Sequence, residues 1–137
     1  VATVAADGRP RVRPIWYLWG DGSFWLTTRL RSRAWGRDVE ARPIVSLSIA
    51  SEQRPYRAVI ATGPVEVVGR DERLLRAISF RYGEPAGRTW LTHAMKEPDR
   101  VALRMTPEEI LSWDYGRGDY LGMNEGGSVR TPGSERG

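Results

Sequence analysis

Turn signals punctuate this chain so closely that most of it has room only for short strands. Asp7-Gly8 is the strongest two-residue hairpin signal, Gly20-Asp21-Gly22 makes the next tight turn, and Thr106-Pro107-Glu108 joins the last two β-rich runs. The runs between are Val1–Ala5, Arg9–Trp19, Ser23–Thr28, Ile44–Ala50, Tyr56–Thr62, Val65–Val68, Val101–Met105 and Ile110–Tyr115. The turns alone put the first three in meander order. In the second, Val12, Pro14, Trp16 and Leu18 point one way. Pro14 removes a ladder donor, so that strand is an edge, is bulged, or turns its free side to a ligand. Gly63-Pro64 is either a bulge or a turn. Helices fall only between strands and no βαβ alternation is present. The expected fold is therefore mainly β with peripheral helices, an antiparallel barrel of about six to seven strands.

Three stretches read as helix. Trp35 and Val39 lie one turn apart ahead of Pro43. Asp71 caps a helix through Tyr82, with Leu74, Leu75 and Ile78 on one face and Gly83 as its stop; a third helix runs from Arg88 to Glu97. Residues 1–119 are expected to form one domain. From 120 to 137 a Gly/Ser/Arg-rich tail is expected to pack on something, such as a second subunit. The opening VATVAADG reads as mid-strand, so an N-terminal element is expected to be missing, and no targeting leader is visible. Apolar runs fall far short of the roughly 18 residues of a membrane span, and a cytoplasmic location is expected.

Composition narrows the chemistry. With no cysteine, disulfides, thiolate metal sites and a cysteine nucleophile are excluded. A lone histidine, His93, builds no ordinary zinc site and reads as a surface residue. The net charge of +4 rests on arginine, Lys96 being the only lysine, and ten arginines stand before residue 58 against five acidic residues. Such a local excess points to an anionic partner.

That excess centres on one corner. Thr27 and Thr28 end a strand, Arg29, Arg31 and Arg33 follow at alternate positions with Ser32 among them, and a helix then begins. Helix N-termini offer unpaired N–H groups and a favourable dipole to anions, and guanidinium adds planar multi-donor contacts. Alternate arginines repel one another without an anion. The corner reads as a phosphate receptor, against the alternative of a solvated basic loop.

The order of these features resembles the pyridoxamine 5′-phosphate oxidase-like family of split β-barrel flavoproteins, which includes flavin/deazaflavin oxidoreductases. The opening hairpin ATV-x-x-DG-x-P, the P-x-W strand at Pro14–Trp16, the TT…SR corner and the P-x-VSL strand at Pro43–Leu47 carry it. It continues through PYRAVIATGPVEVV and MTPEEILSWDYGRGD, from Val1 to about Asp119. What the resemblance implies is an FMN-binding-like split barrel, a homodimer with a cofactor in each intersubunit groove. FMN is the expected cofactor, with coenzyme F420 as the alternative. By analogy, Arg13, Pro14, Ile15 and Trp16 lie along the ring system. Thr27, Thr28, Ser32 and Arg33 meet the phosphate, with Arg31 and Arg37 nearby. Trp35 flanks the pocket, and Trp113 and Arg117 reach the partner's site. Many relatives carry a lysine soon after the corner serine and an asparagine later in the helix; here that stretch reads Ala34, Trp35 and Asp38.

The expected function is hydride transfer to or from a small organic substrate, with the chemistry borne by the cofactor. A non-catalytic flavin, haem or tetrapyrrole carrier is the alternative. A single-stranded nucleic-acid barrel ranks third, because the tryptophans form no continuous exposed stripe.

Overall fold

The computed structural model describes residues 1–117 and 128–130. Its strands are β1 (Ala2–Val4), β2 (Pro10–Val12), β3 (Leu18–Gly20), β4 (Ser23–Arg29), β5 (Ile44–Ala50), β6 (Arg57–Gly69), β7 (Arg100–Met105), β8 (Glu109–Asp114) and β9 (Ser128–Arg130). The helices are α1 (Ala34–Ala41), α2 (Glu72–Arg81) and α3 (Ala86–Ala94). All pairings are antiparallel, along the path β2-β1-β5-β6-β7-β4-β3 with β8 and β9 branching from β6. This is a split β-barrel, as the sequence leads one to expect. The thirteen-residue β6 divides it. Its first half pairs with β5 and β8, and past Pro64 it turns to β7, so one strand serves both halves.

Three details differ from the sequence reading. Arg9–Trp19 is two strands rather than one, broken over residues 13–17, and β2 and β3 end at opposite edges of the path instead of continuing a meander. Pro14 supplies the reason, since it has no N–H to extend a ladder. Gly63-Pro64 neither ends a strand nor turns the chain. Gly63 lets β6 run on beneath the Thr106 carbonyl, which would lie 2.1 Å from an added Cβ. The broken run and β9 raise the strand number among the described residues to nine. Of the tail, only the backbone of Ser128–Arg130 is described, paired with β8; the remainder lies outside the described residues.

The core follows the strand alternation. Phe24 and Leu26 of β4, Val45 and Leu47 of β5, Ala61 and Val65 of β6, and Leu103 and Met105 of β7 close on one another, with Trp35 and Val39 of α1 as the plug. Asp38 is also buried, and its carboxylate accepts from Thr3 Oγ1 (2.9 Å) and Arg11 Nη1 (3.2 Å). It thereby fastens the helix to the β1–β2 hairpin. Gly36 lets α1 approach the end of β4, where a Cβ would meet the Leu30 and Arg29 carbonyl oxygens at 2.6 and 2.7 Å. Backbone cannot yield as a side chain does. Gly36→Ala is therefore expected to cost about 1–3 kcal/mol by overpacking, read as a lower midpoint in urea unfolding; an unchanged midpoint refutes the close-approach argument.

Candidate functional site

A cleft of about 260 Å³ opens where β4 hands the chain to α1. Thr27, Thr28 and Arg29 from the end of β4, Arg33 and Trp35 from the entry to α1, Pro14, Ile15 and Trp16 from the broken segment, Trp90 of α3 and Arg100 of β7 line it. Pro14 and Ile15 are shared with an adjoining groove of about 580 Å³, whose lining includes Arg13, Leu47, Ile49 and Tyr82. The broken segment 13–17 thus forms a ridge between two recesses.

The ridge has no ladder to hold it, and aromatic contacts take that part. Trp16 stacks on Tyr82 at 4.4 Å and 6°, and meets Trp90 at 5.4 Å. Tyr17 N–H donates to Tyr82 Oη at 3.1 Å. Arg81 lies 4.3 Å from the Tyr17 ring centre and 4.9 Å from that of Tyr82. Helices α2 and α3 bring these groups over the barrel. Asp71 caps α2 by accepting from Leu74 N–H (3.0 Å), and Gly83 at positive φ ends it. Gly87 lets α3 lie close to Ser79.

Seven residues expected from the sequence gather in the cleft: Pro14, Ile15, Trp16, Thr27, Thr28, Arg33 and Trp35. Others stand elsewhere. Arg13 lines the adjoining groove, with a buried Nε that has no hydrogen-bond partner among the described residues. Arg31 faces a separate recess beside Pro98 and Asp99, and Arg37 donates to the Arg31 carbonyl at 2.7 Å. Ser32 turns from the cleft, its Oγ (2.6 Å) and N–H (2.9 Å) both donating to Asp99. Trp113 sits on β8 opposite Ala58, away from the cleft lining. Arg117 ends a short 3₁₀ turn, Tyr115–Arg117. Thr27 lines the cleft with its hydroxyl proton already given to the Val101 carbonyl (2.9 Å), so it offers only lone pairs. Thr28, whose hydroxyl makes only a 3.5 Å contact with the Arg29 carbonyl, is the better donor.

Sequence reading missed Trp90 and Arg100, and did not assign Arg29 to the site. The signal for Arg100 lay in β-pairing, which places it opposite Arg29. Among the described residues, three arginines and no carboxylate line the cleft. Glu97 stands behind them, accepting from Arg100 Nε at 2.7 Å and approaching Arg29 Nε at 3.4 Å. That second approach is an ion pair outside hydrogen-bonding geometry. This donor set suits an anion carrying several oxygens. In the stretch after the corner serine, Trp35 packs into the core and Asp38 is engaged with Thr3 and Arg11.

The sequence pattern of the pyridoxamine 5′-phosphate oxidase family matches residues 1–114. The chain belongs to that family. Among solved structures, this family member is similar to a conserved hypothetical protein from Mycobacterium tuberculosis: 26% identity, TM-score 0.71, with 93% of this chain and 82% of that chain covered. It is also similar to an F420 reductase, at 28% identity and TM-score 0.65 over 80% of this chain and 84% of that one. HutZ, the heme storage protein from Vibrio cholerae, shares the fold at 22% identity and TM-score 0.61, over 80% of each chain. No curated protein sequence matches significantly. Among the described residues, no group of three or more His, Cys, Asp or Glu is placed to hold a metal, and no helix is long and apolar enough to cross a membrane.

The Ser32–Asp99 contact gives the corner a pH signature. The Ser32 hydroxyl, then its N–H, hold the Asp99 carboxyl below the usual aspartate range. A depressed native pKa stabilises the fold above the unfolded value and loses that contribution as pH falls through the native one. Stability is therefore expected to be flat above pH ~5 and to decline below ~4. Asp99→Asn should make that acid-side decline shallower in thermal unfolding; an identical acid profile would exclude Asp99 as a contributor.

Proposed function

We propose that this family member is an oxidoreductase that holds a flavin-type cofactor by its phosphate in the cleft and acts on a small organic substrate. FMN is the preferred cofactor and coenzyme F420 the alternative. The observation that carries the reading is the arginine-lined, carboxylate-free cleft joined to a groove along the Pro14–Trp16 ridge. Arg29, Arg33 and Arg100, with the Thr28 hydroxyl, would hold the phosphate. Trp16 and Trp90 give it a wall that limits water, and the ridge backbone orients what lies beyond. When bound, the flavin supplies the hydride donor or acceptor, which is why no acid–base pair is required of the protein. A homodimer that completes each groove from its partner, in the cytoplasm, belongs to the same proposal.

Haem carriage finds less support in this chain. An axial ligand would fall to His93, which is exposed on α3 with Nδ1 2.8 Å from the Thr89 carbonyl and lies off the cleft.

Purified protein should carry a chromophore with oxidised-flavin absorbance and the mass of FMN, bleached by reductant and restored by an electron acceptor. A deazaflavin mass would select the alternative cofactor, and a Soret band would overturn the assignment. Arg33→Ala should fold normally yet weaken cofactor retention by roughly 1.5–3 kcal/mol, the scale of a charged hydrogen bond. Unchanged retention would take Arg33 out of the site.

A further inference from the structure

The cleft contains a pairing that antiparallel strands ordinarily avoid. Arg29 of β4 stands directly opposite Arg100 of β7, and like charges facing each other across a ladder are destabilising. Both are largely buried, with side-chain exposures of 27% and 12%, so water screens their repulsion less than it would on an open surface. Glu97 lies between them. Arg100 donates from Nε and Nη2 to one carboxylate oxygen, while Arg29 Nε approaches the other. The terminal nitrogens of Arg29 and Nη1 of Arg100 make no hydrogen bond among the described residues. They remain available to the cleft that both residues line. One carboxylate thus serves two guanidiniums, and Arg33 adds a third positive charge to the same lining. The surplus matches a dianion.

The same turn grips the facing loop. Asp99 accepts Ser32 N–H and Oγ through its side chain and Leu30 N–H through its carbonyl, at 2.9, 2.6 and 2.9 Å. Arg33 follows immediately, so its placement beside Arg29 depends on that grip. Ser32 has its hydroxyl proton committed to Asp99 and gives it to no ligand.

We propose that the turn between α3 and β7 is the positioning device of the site: Glu97 keeps Arg29 and Arg100 aimed together at a phosphomonoester dianion, and Asp99 fixes the loop that brings Arg33 beside them. This rests on the phosphate-binding reading above. Neither carboxylate touches the ligand; each acts through the arginines.

The test titrates FMN and riboflavin, which lacks the phosphate, into the protein freed of chromophore, with inorganic phosphate as a third probe. Wild type should prefer FMN to riboflavin by about tenfold or more. The preference should shrink as pH falls through about 6, where the phosphate takes its second proton. Glu97→Gln and Asp99→Ala should each bring the ratio towards one by weakening FMN alone. Asp99→Asn, which still accepts from Ser32, should restore part of it.

A ratio that stays fixed while the variants merely melt earlier would overturn the proposal. So would tighter FMN binding by Glu97→Gln, which would mean that Glu97 acts only as an opposing charge. If wild type binds riboflavin as well as FMN, the positioning device falls and the flavin reading stands. If neither flavin binds but phosphate stabilises wild type and not Glu97→Gln, the device stands and the flavin reading falls. Failure of all three probes removes both.

Discussion

Antiparallel pairing of β4 with β7 is the constraint on which the site depends. The register that puts Leu26 beside Leu103 in the core also puts Thr28 beside Val101 and Arg29 beside Arg100 at the end of the ladder. A slip by one residue would turn each core side chain outward, so burial of Leu26, Leu103 and Met105 fixes where the two guanidiniums meet. Hydrophobic packing sets the register. The register then concentrates positive charge at the strand end, and Glu97 makes that concentration tolerable.

The sequence exposed one side of this arrangement clearly. Turn chemistry located most strand ends, Trp35 and Val39 gave the buried stripe of α1, and the hydroxyl–arginine run marked the corner. It exposed the opposite side poorly, because Arg100 reaches the corner through the pairing of β7 with β4, and Trp90 and Glu97 through the packing of α3 and the turn that follows it, not through local pattern. Ser32 shows the converse error. Its position at a helix entry is right for an anion ligand, yet an acidic side chain from a distant turn takes its donors. The misjudged run at 9–19 has a local cause. Alternation continued through Pro14, but the lost N–H meant that pattern could not become ladder.

Helix α1 is committed to structure on its buried face. Trp35 fills the core and walls the cleft, and Asp38 ties the helix to Thr3 and Arg11. Buried carboxylates persist when paired and hydrogen-bonded, and Asp38 has both kinds of partner. With those positions given to structure, the positive charge lining the cleft comes from Arg29, Arg33 and Arg100.

The connection between β6 and β7 matters beyond covering the barrel. It supplies Tyr82 and Trp90, which hold Trp16 where no ladder can, and it ends in the turn bearing Glu97 and Asp99. Arg100 also lies 5.6 Å from the Trp90 ring centre, so the aromatic wall and the charged wall touch. Past Arg13, whose backbone bonds Val1, the ridge runs outside the ladder and needs other support to stay in place. Stacking on Trp16 and the Tyr17 N–H bond to Tyr82 give that support. One connection therefore orders both the aromatic and the cationic half of the cleft, bracing Trp16 on one side and Arg29 and Arg100 on the other.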